Sequence, residues 1–384
     1  MSDKRLGDII KNGNARTTIN WLTWIPTPYN AVLFRELAFQ ECVELKVHYR
    51  VPMISSHPWE SDFINSYSSR CYKHFMGIDW TLVKLAAFDK DSFFVVGGWD
   101  HPTAIFVICI RCFLKYKIAL WTDTPNPDRK RRKIFSVLRR FWLAWVFRNV
   151  NAIMGTGEPA LTTLYQMGAA KEKLVNLPYW IDLDLYKFAE KESLDHLETA
   201  HFRFISVGRL INRLKGHDIA IRSLKLAFSN SSHSFDYYLA GTGEDEDLLR
   251  ELSANLGIEE NVKFLGWLEP RELASYLSQS HFLIHPSPLH EPYGVAVLEG
   301  MAAGCVVMAS DKTCAALDRI HNGENGFIHY ANDITCLSDQ IKSLIINPKK
   351  IREIGLRARK TAELWPVKRG IQIVTGILNK SQTA

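Results

Sequence analysis

Short apolar runs alternate with longer amphipathic stretches along this chain, and the alternation runs through once and then restarts. The first set is TINWLTWI (18–25), ELKVHYRV (44–51), SFFVVGG (92–98), YKIALWT (116–122) and AIMGTG (152–157). The second is FRFISVG (202–208), FDYYLAG (235–241), NVKFLG (261–266), HFLIHPS (281–287) and CVVMAS (305–310). Runs of this length, with helical patterns between several of them, read as parallel strands covered by helices on both faces. The restart predicts two Rossmann-like, doubly wound α/β domains in tandem. A chain of 384 residues is also too long for one ordinary core. The segment 176–202 has no clear strand and is polar and charged in its later part, so the boundary is expected near residues 185–200. The expected units are a first domain over 1–185, a second over 200–360, and a C-terminal helix within 361–384 that returns to the first domain.

Charge is divided between the halves. The net charge is +6, but residues 1–150 carry +9 and the remainder −3. A one-sided excess points to an anionic partner for the first half. The densest basic stretch is RKRRKIFSVLRRFWLAWVFR (129–148), with eight cations and no carboxylate. On a helix, Ile134, Val137, Leu138, Phe141 and Trp145 share one face, while Leu143, Val146 and Phe147 lie on the other. Two readings follow: a packed helix with a basic entry loop, or a helix lying on an anionic membrane surface. No recognisable nucleic-acid-reading motif accompanies the cations. The longest apolar run, 103–110, is too short to cross a bilayer, and the N-terminal residues lack a signal-like apolar core. Seven scattered cysteines fit a reducing, cytoplasmic setting without disulfides or structural metal.

In open α/β sheets, ligands sit beyond the carboxyl ends of the strands. The second half places its unusual residues there. SVGRLINRLKGHD brings Arg209 and Lys215 after one strand, LAGTGEDEDL brings Gly241 and Gly243 after the next, and HPSPLHEPYG brings Glu291 after a third. Cations supply charge and glycines let backbone N–H groups approach, as a phosphate-bearing ligand requires. The spacing predicts a helix starting at Gly294 and running through VAVLEGMAAG, with Glu291 in the loop before it and Glu299 inside it. Free N–H groups in its first turn would suit an anion.

Together, SVGRL…KG, LAGTGE, VKFLGWL, HPSPLHEPYGVAVLEGMAAGCVV and NGENGFI (322–328) resemble the retaining glycosyltransferases of family four, with their Glu-x7-Glu motif. Five motifs in order over 200–330 carry the resemblance; residues 1–185 match less closely. It implies the GT-B fold, with two Rossmann-like domains facing across a cleft. It further implies that Arg209 and Lys215 bind the donor diphosphate, that Glu299 binds the ribose, and that Glu291 contacts the donor sugar near its anomeric carbon. Gly243 and Glu244 would lie near the nucleotide, Phe264 and Leu265 would border the base, and the backbone of Gly294 and Val295 would meet phosphate or sugar. Asp123, in ALWTDTPNP, stands where a histidine is often found, and WIPTPYN (24–30) replaces an early glycine-rich loop. His101 could face the acceptor or merely stabilise its turn; His285 and His290 are assigned no role.

The reaction so implied is transfer of a hexosyl group from a nucleotide-diphosphate sugar to a saccharide or lipid-linked saccharide, in surface polysaccharide synthesis. Fixed cations at the leaving phosphate remove the need for a metal or other cofactor. Asp182 and Asp184 form an Asp-x-Asp pair, but it lies outside the nucleotide motifs. Two other readings stay open: a GT-B nucleotide-sugar epimerase, and a non-catalytic module that binds nucleotide sugar or membrane.

Overall fold

The computed structural model describes residues 16–52, 61–126, 133–190 and 201–382. They form two parallel sheets. The first contains β1 (Thr17–Thr23), β2 (Val43–Tyr49), β3 (Ser68–Cys71), β4 (Phe93–Gly97), β5 (Ile118–Thr122), β6 (Ala152–Gly155) and β7 (Leu174–Asn176) in the order β3-β2-β1-β4-β5-β6-β7. The second contains β8 (His201–Val207), β9 (Ser234–Ala240), β10 (Val262–Gly266), β11 (Phe282–His285), β12 (Val306–Ser310) and β13 (Phe327–His329) in the order β10-β9-β8-β11-β12-β13. Both orders run outward from the first strand and then reverse, the doubly wound topology expected from the alternation. The repeat is structural, with no counterpart in matching residues.

The central strands are apolar on both faces because helices cover both. On one face of the first sheet, Trp21, Phe34, Leu45 and Trp121 pack with Val374 and Leu378 of the last helix, Val367–Gln382. On the other, Phe94, Val96 and Leu120 pack against helices Trp80–Phe88, Pro102–Phe113 and Lys133–Asn149. The second sheet is likewise sandwiched, with Phe204, Tyr237 and Phe282 on one side and Ile205, Leu283 and Val307 on the other. Tyr186 belongs to that second core, whereas Trp180 packs in the first.

Three strands were not anticipated. β3, β7 and β13 have four, three and three residues, and all lie at or next to sheet edges. These pieces are short as well as at the edge, where a strand buries less side chain, so they carry no long apolar run; β10, also at an edge but five residues long, was anticipated.

The two domains touch. His290 Nε2 lies 3.0 Å from Thr124 O, and Thr124 N donates to Pro292 O at 3.4 Å. Glu158 N donates to Asp318 Oδ1 at 2.8 Å, so a carboxylate of the second domain caps a helix of the first.

Candidate active site

The order of each sheet reverses between β1 and β4 and between β8 and β11, which are the places where such sheets bind ligands. A cavity lies at each. One, of about 430 Å³, is lined by Arg209, Lys215, Gly241, Glu291, Gly294 and Glu299, among others. The other, of about 960 Å³, is lined by Trp24, Gly97, Gly98, Trp99, Asp100 and residues around Asp123. Trp24, Ile25, Thr27, Asp123, Tyr179 and Pro292 line both, so the two cavities share a wall that includes Asp123.

Close backbone packing shapes the smaller cavity. Gly208, with φ +149°, ends β8, and Gly241, with φ +139°, ends β9. A Cβ on Gly241 would stand 2.1 Å from Gly208 O, so this approach admits only glycine. Lys215 ends the short helix Asn212–Lys215, and its stem passes over Gly208. Its Nζ donates to Glu291 Oε2 at 2.7 Å. Arg209 lines the same cavity, and among the described residues no carboxylate pairs with its guanidinium.

Glu291 sits on a loop held at several points. Its N–H donates to Lys312 O at 2.9 Å, and its carbonyl accepts from Cys314 N at 3.2 Å. Ser310 Oγ donates to Ser287 O at 2.6 Å, and Ser287 Oγ donates to Glu291 Oε2 at 3.2 Å. Burial alone would push the Glu291 carboxyl up. The Lys215 ammonium and the hydrogen bonds from Lys215 and Ser287 outweigh it and hold the carboxyl below its ordinary range. His285 Nε2 lies 3.9 Å away, but burial and Lys215 depress that imidazole to about 3. It is therefore neutral near pH 7, and Lys215 is the cation that keeps Glu291 ionised.

Glu299 differs. It lies inside helix Ala296–Ala302, is buried, and has no cation beside it among the described residues. Burial raises its carboxyl to about 7. It faces the cavity as an acceptor awaiting donors. Asp123 is also raised, by burial above all, against hydrogen bonds from Tyr179 and from Thr156 Oγ1 at 3.3 Å, with a smaller push upward from the Glu291 charge.

Seven of the anticipated residues thus line one cavity: Asp123, Arg209, Lys215, Glu291, Gly294, Val295 and Glu299. Four do not. Gly243 abuts Leu210, whose carbonyl oxygen would stand 2.3 Å from an added Cβ; its glycine is needed to bring two turns together. Glu244 is exposed on that turn. Phe264 packs into the core under the Arg250 guanidinium, which sits 4.0 Å above the ring, and Leu265 packs into the second core. Both lie on β10, and the cavity wall begins just after it, at Trp267 and Leu268. The helix also starts later than anticipated. Gly294 has φ +96° and makes the turn, so the helix begins at Ala296 and has only seven residues. Asp182 Oδ1 accepts from Asp184 N at 3.1 Å.

Sequence reasoning missed Ser287 and left His285 without a role. The position of both at the end of β11, beside the Glu291 loop, was the available signal. It also missed the aromatic wall of Tyr29, Tyr179 and Tyr186, which comes from segments far apart in the chain.

Comparison with known proteins bears on this geometry. An uncharacterized glycosyltransferase of Haemophilus influenzae is 27% identical over 176 residues, 45% of this chain and 48% of that protein. The N-acetylgalactosamine-N,N'-diacetylbacillosaminyl-diphospho-undecaprenol 4-alpha-N-acetylgalactosaminyltransferase of Campylobacter jejuni is 21% identical over 242 residues, 63% of this chain and 64% of that protein. The chain therefore spans less than two thirds of the length of these curated relatives. Anabaena HepE, solved in complex with UDP and glucose, superposes with a TM-score of 0.74 at 17% identity, covering 95% of this chain and 100% of that one. The chain has the GT-B fold, and its residues 190–361 match the family model described as Glycosyl transferases group 1.

Proposed function

We propose that this chain is a retaining glycosyltransferase that moves a hexosyl group from a nucleotide-diphosphate sugar to a saccharide or lipid-linked saccharide. One observation carries the reading. Arg209 and Lys215, which follow β8, and Glu291 and Glu299, which follow β11, line a single cavity at that sheet's switch point. The family match, the UDP and glucose in the HepE complex, and the diphospho-undecaprenol in the name of the Campylobacter relative all support it.

In this reading the nucleotide lies over Gly208 and Gly241, with its ribose hydroxyls donating to Glu299. Arg209 and Lys215 face the diphosphate. As the bond between the anomeric carbon and the phosphate oxygen breaks, negative charge grows on the phosphate and positive character on the sugar. The two cations stabilise the first and the ionised Glu291 the second. Both are fixed before substrate arrives, so little reorganisation is needed and no metal is required. The acceptor hydroxyl enters from the larger cavity, past Asp123. Its oxygen bonds the anomeric carbon on the face the diphosphate leaves, and its proton passes to the departing phosphate. Asp123, with its raised carboxyl, orients that hydroxyl. The setting we propose is the cytoplasmic face of a membrane, in polysaccharide synthesis.

The test is a calorimetric binding screen of UDP-, GDP- and ADP-sugars, followed by turnover of the binders on lipid-linked saccharides. Transfer with the α or β configuration preserved supports the reading. Conversion of the donor without any acceptor would replace it with epimerase chemistry, and no binding at millimolar donor would refute it.

A further inference from the structure

Helix Lys133–Asn149 is apolar on two opposite faces. Leu143, Val146 and Phe147 point into the first core and are fully buried. Ile134, Val137, Leu138 and Phe141 recur at three- and four-residue spacing on the far side. They are 67%, 53%, 60% and 72% exposed. The two readings of this stretch are therefore not exclusive: the inner face packs, and the outer face is left bare.

The bare face extends beyond one helix. Helix Pro102–Phe113 lies alongside, joined by a hydrogen bond from Trp142 Nε1 to Cys109 Sγ at 3.4 Å. Its exposed Phe106 meets the exposed Trp80 of helix Trp80–Phe88, ring centroids 6.0 Å apart. All three helices cover the same side of the first sheet. An apolar surface spread over three neighbouring helices is more than scattered exposed residues, and such surfaces mark interaction sites.

Charge selects the partner. None of the three helices contains a single Asp or Glu. Lys84, Arg140 and Arg148, on the same helices as the apolar side chains, are exposed. Exposed cations on the same helices as an apolar face, with no carboxylate within those helices, complement the headgroups and acyl boundary of an anionic bilayer. Among the described residues no helix is long and apolar enough to cross a membrane, so the fit is to a surface. The site's geometry gives the surface a use. Ser136 and Arg139, in the same turns as Val137 and Leu138, line the larger cavity. The run Arg129–Arg132 lies outside the described residues.

We infer that the outer face of helices Trp80–Phe88, Pro102–Phe113 and Lys133–Asn149 docks on an anionic lipid surface and holds the mouth of the larger cavity against it. The proposed acceptor chemistry explains why docking would matter, but the docking itself rests on exposure and charge. The test needs neither donor nor acceptor, so its failure is distinct from failure of the transferase reading.

Vesicles of phosphatidylcholine, with and without about 30% phosphatidylglycerol, are sedimented with the full chain. The expected result is co-sedimentation with the anionic vesicles alone, weakened by high salt. Val137→Ser/Leu138→Ser/Phe141→Ser is expected to weaken it about tenfold or more with an unchanged unfolding midpoint. Arg140→Gln/Arg148→Gln is expected to weaken it about threefold or more. If the triple variant does not fold, Phe141→Ser and Leu138→Ser singly carry the test. The proposal is overturned if the wild type ignores anionic vesicles or if the triple variant binds them equally. It is also overturned if ultracentrifugation shows, without vesicle binding, a dimer that the triple variant abolishes, because the face would then be a self-interface.

Discussion

Replacing Lys215 with alanine tests the electrostatic logic of the site before any substrate is known. Lys215 Nζ and Glu291 Oε2 are 2.7 Å apart, with side chains only 15% and 17% exposed. Removing one partner of an enclosed pair strands the other and costs about 3–5 kcal/mol. Glu291 keeps a narrow solvent edge and can escape its charge by taking a proton, so the lower end, about 3 kcal/mol, is expected. The pH dependence has a definite sign. The folded carboxyl now titrates below its unfolded value, so the pair's contribution is present above that value and is lost as pH falls through the folded one. Without Lys215, burial dominates and the folded carboxyl rises above its unfolded value. The deficit of Lys215→Ala should therefore be largest near neutral pH and shrink in acid. Urea unfolding at a series of pH values measures this, and the double variant Lys215→Ala/Glu291→Gln should recover much of the loss because no charge is stranded. With donor and acceptor in hand, the single variant should also lose about a hundredfold in turnover. A Lys215→Ala protein within about 0.5 kcal/mol of wild type near pH 7 would refute the claim that this pair is tightly coupled.

Arg209→Ala should leave stability nearly unchanged, because its guanidinium holds no described carboxylate, while donor affinity or turnover falls about a hundredfold; calorimetry with the donor separates the two variants. Glu299→Gln should stabilise the protein at pH 8. A folded carboxyl raised to about 7 costs stability as pH rises through the window between its unfolded value and 7, and glutamine removes that dependence. The gain expected at pH 8 is about 2–3 kcal/mol, read by urea unfolding at pH 5 and pH 8. The same variant should bind nucleotide more weakly, since an amide accepts ribose hydroxyls less strongly than a carboxylate. Turnover should survive EDTA; complete loss that magnesium or manganese restores would return attention to Asp182 and Asp184.

The sheets were legible because their central strands are buried on both faces, and such strands announce themselves as continuous apolar runs. Ser68–Cys71, Leu174–Asn176 and Phe327–His329 are edge or near-edge pieces and make no such run. The convergence of several residues on the smaller cavity was legible for a related reason. Cations, glycines and glutamates at the ends of known strands converge once the strands lie side by side. Their individual jobs were less so. Gly243 and Gly241 look alike in LAGTGE, yet one abuts the Leu210 backbone and the other the Gly208 carbonyl at the cavity. Phe264 precedes the cavity wall by three residues, and nothing in VKFLGWL says where the strand stops and the wall starts.

The hardest residues to read were those whose meaning depends on partners distant in sequence. Glu291 and Glu299 are eight positions apart and chemically identical, yet their carboxyls move in opposite directions. Lys215, 76 residues away from Glu291, keeps it ionised; no comparable charge reaches Glu299, and burial drives it toward the neutral form. One carboxylate is thus held charged, and in the proposed reaction it faces the positive character that develops on the sugar. The other is left short of hydrogen-bond donors until something enters the cavity. Helix Lys133–Asn149 shows the same dependence on context. Its two apolar stripes are plain in the sequence, but only the packing shows that one is consumed by the core and the other stays exposed.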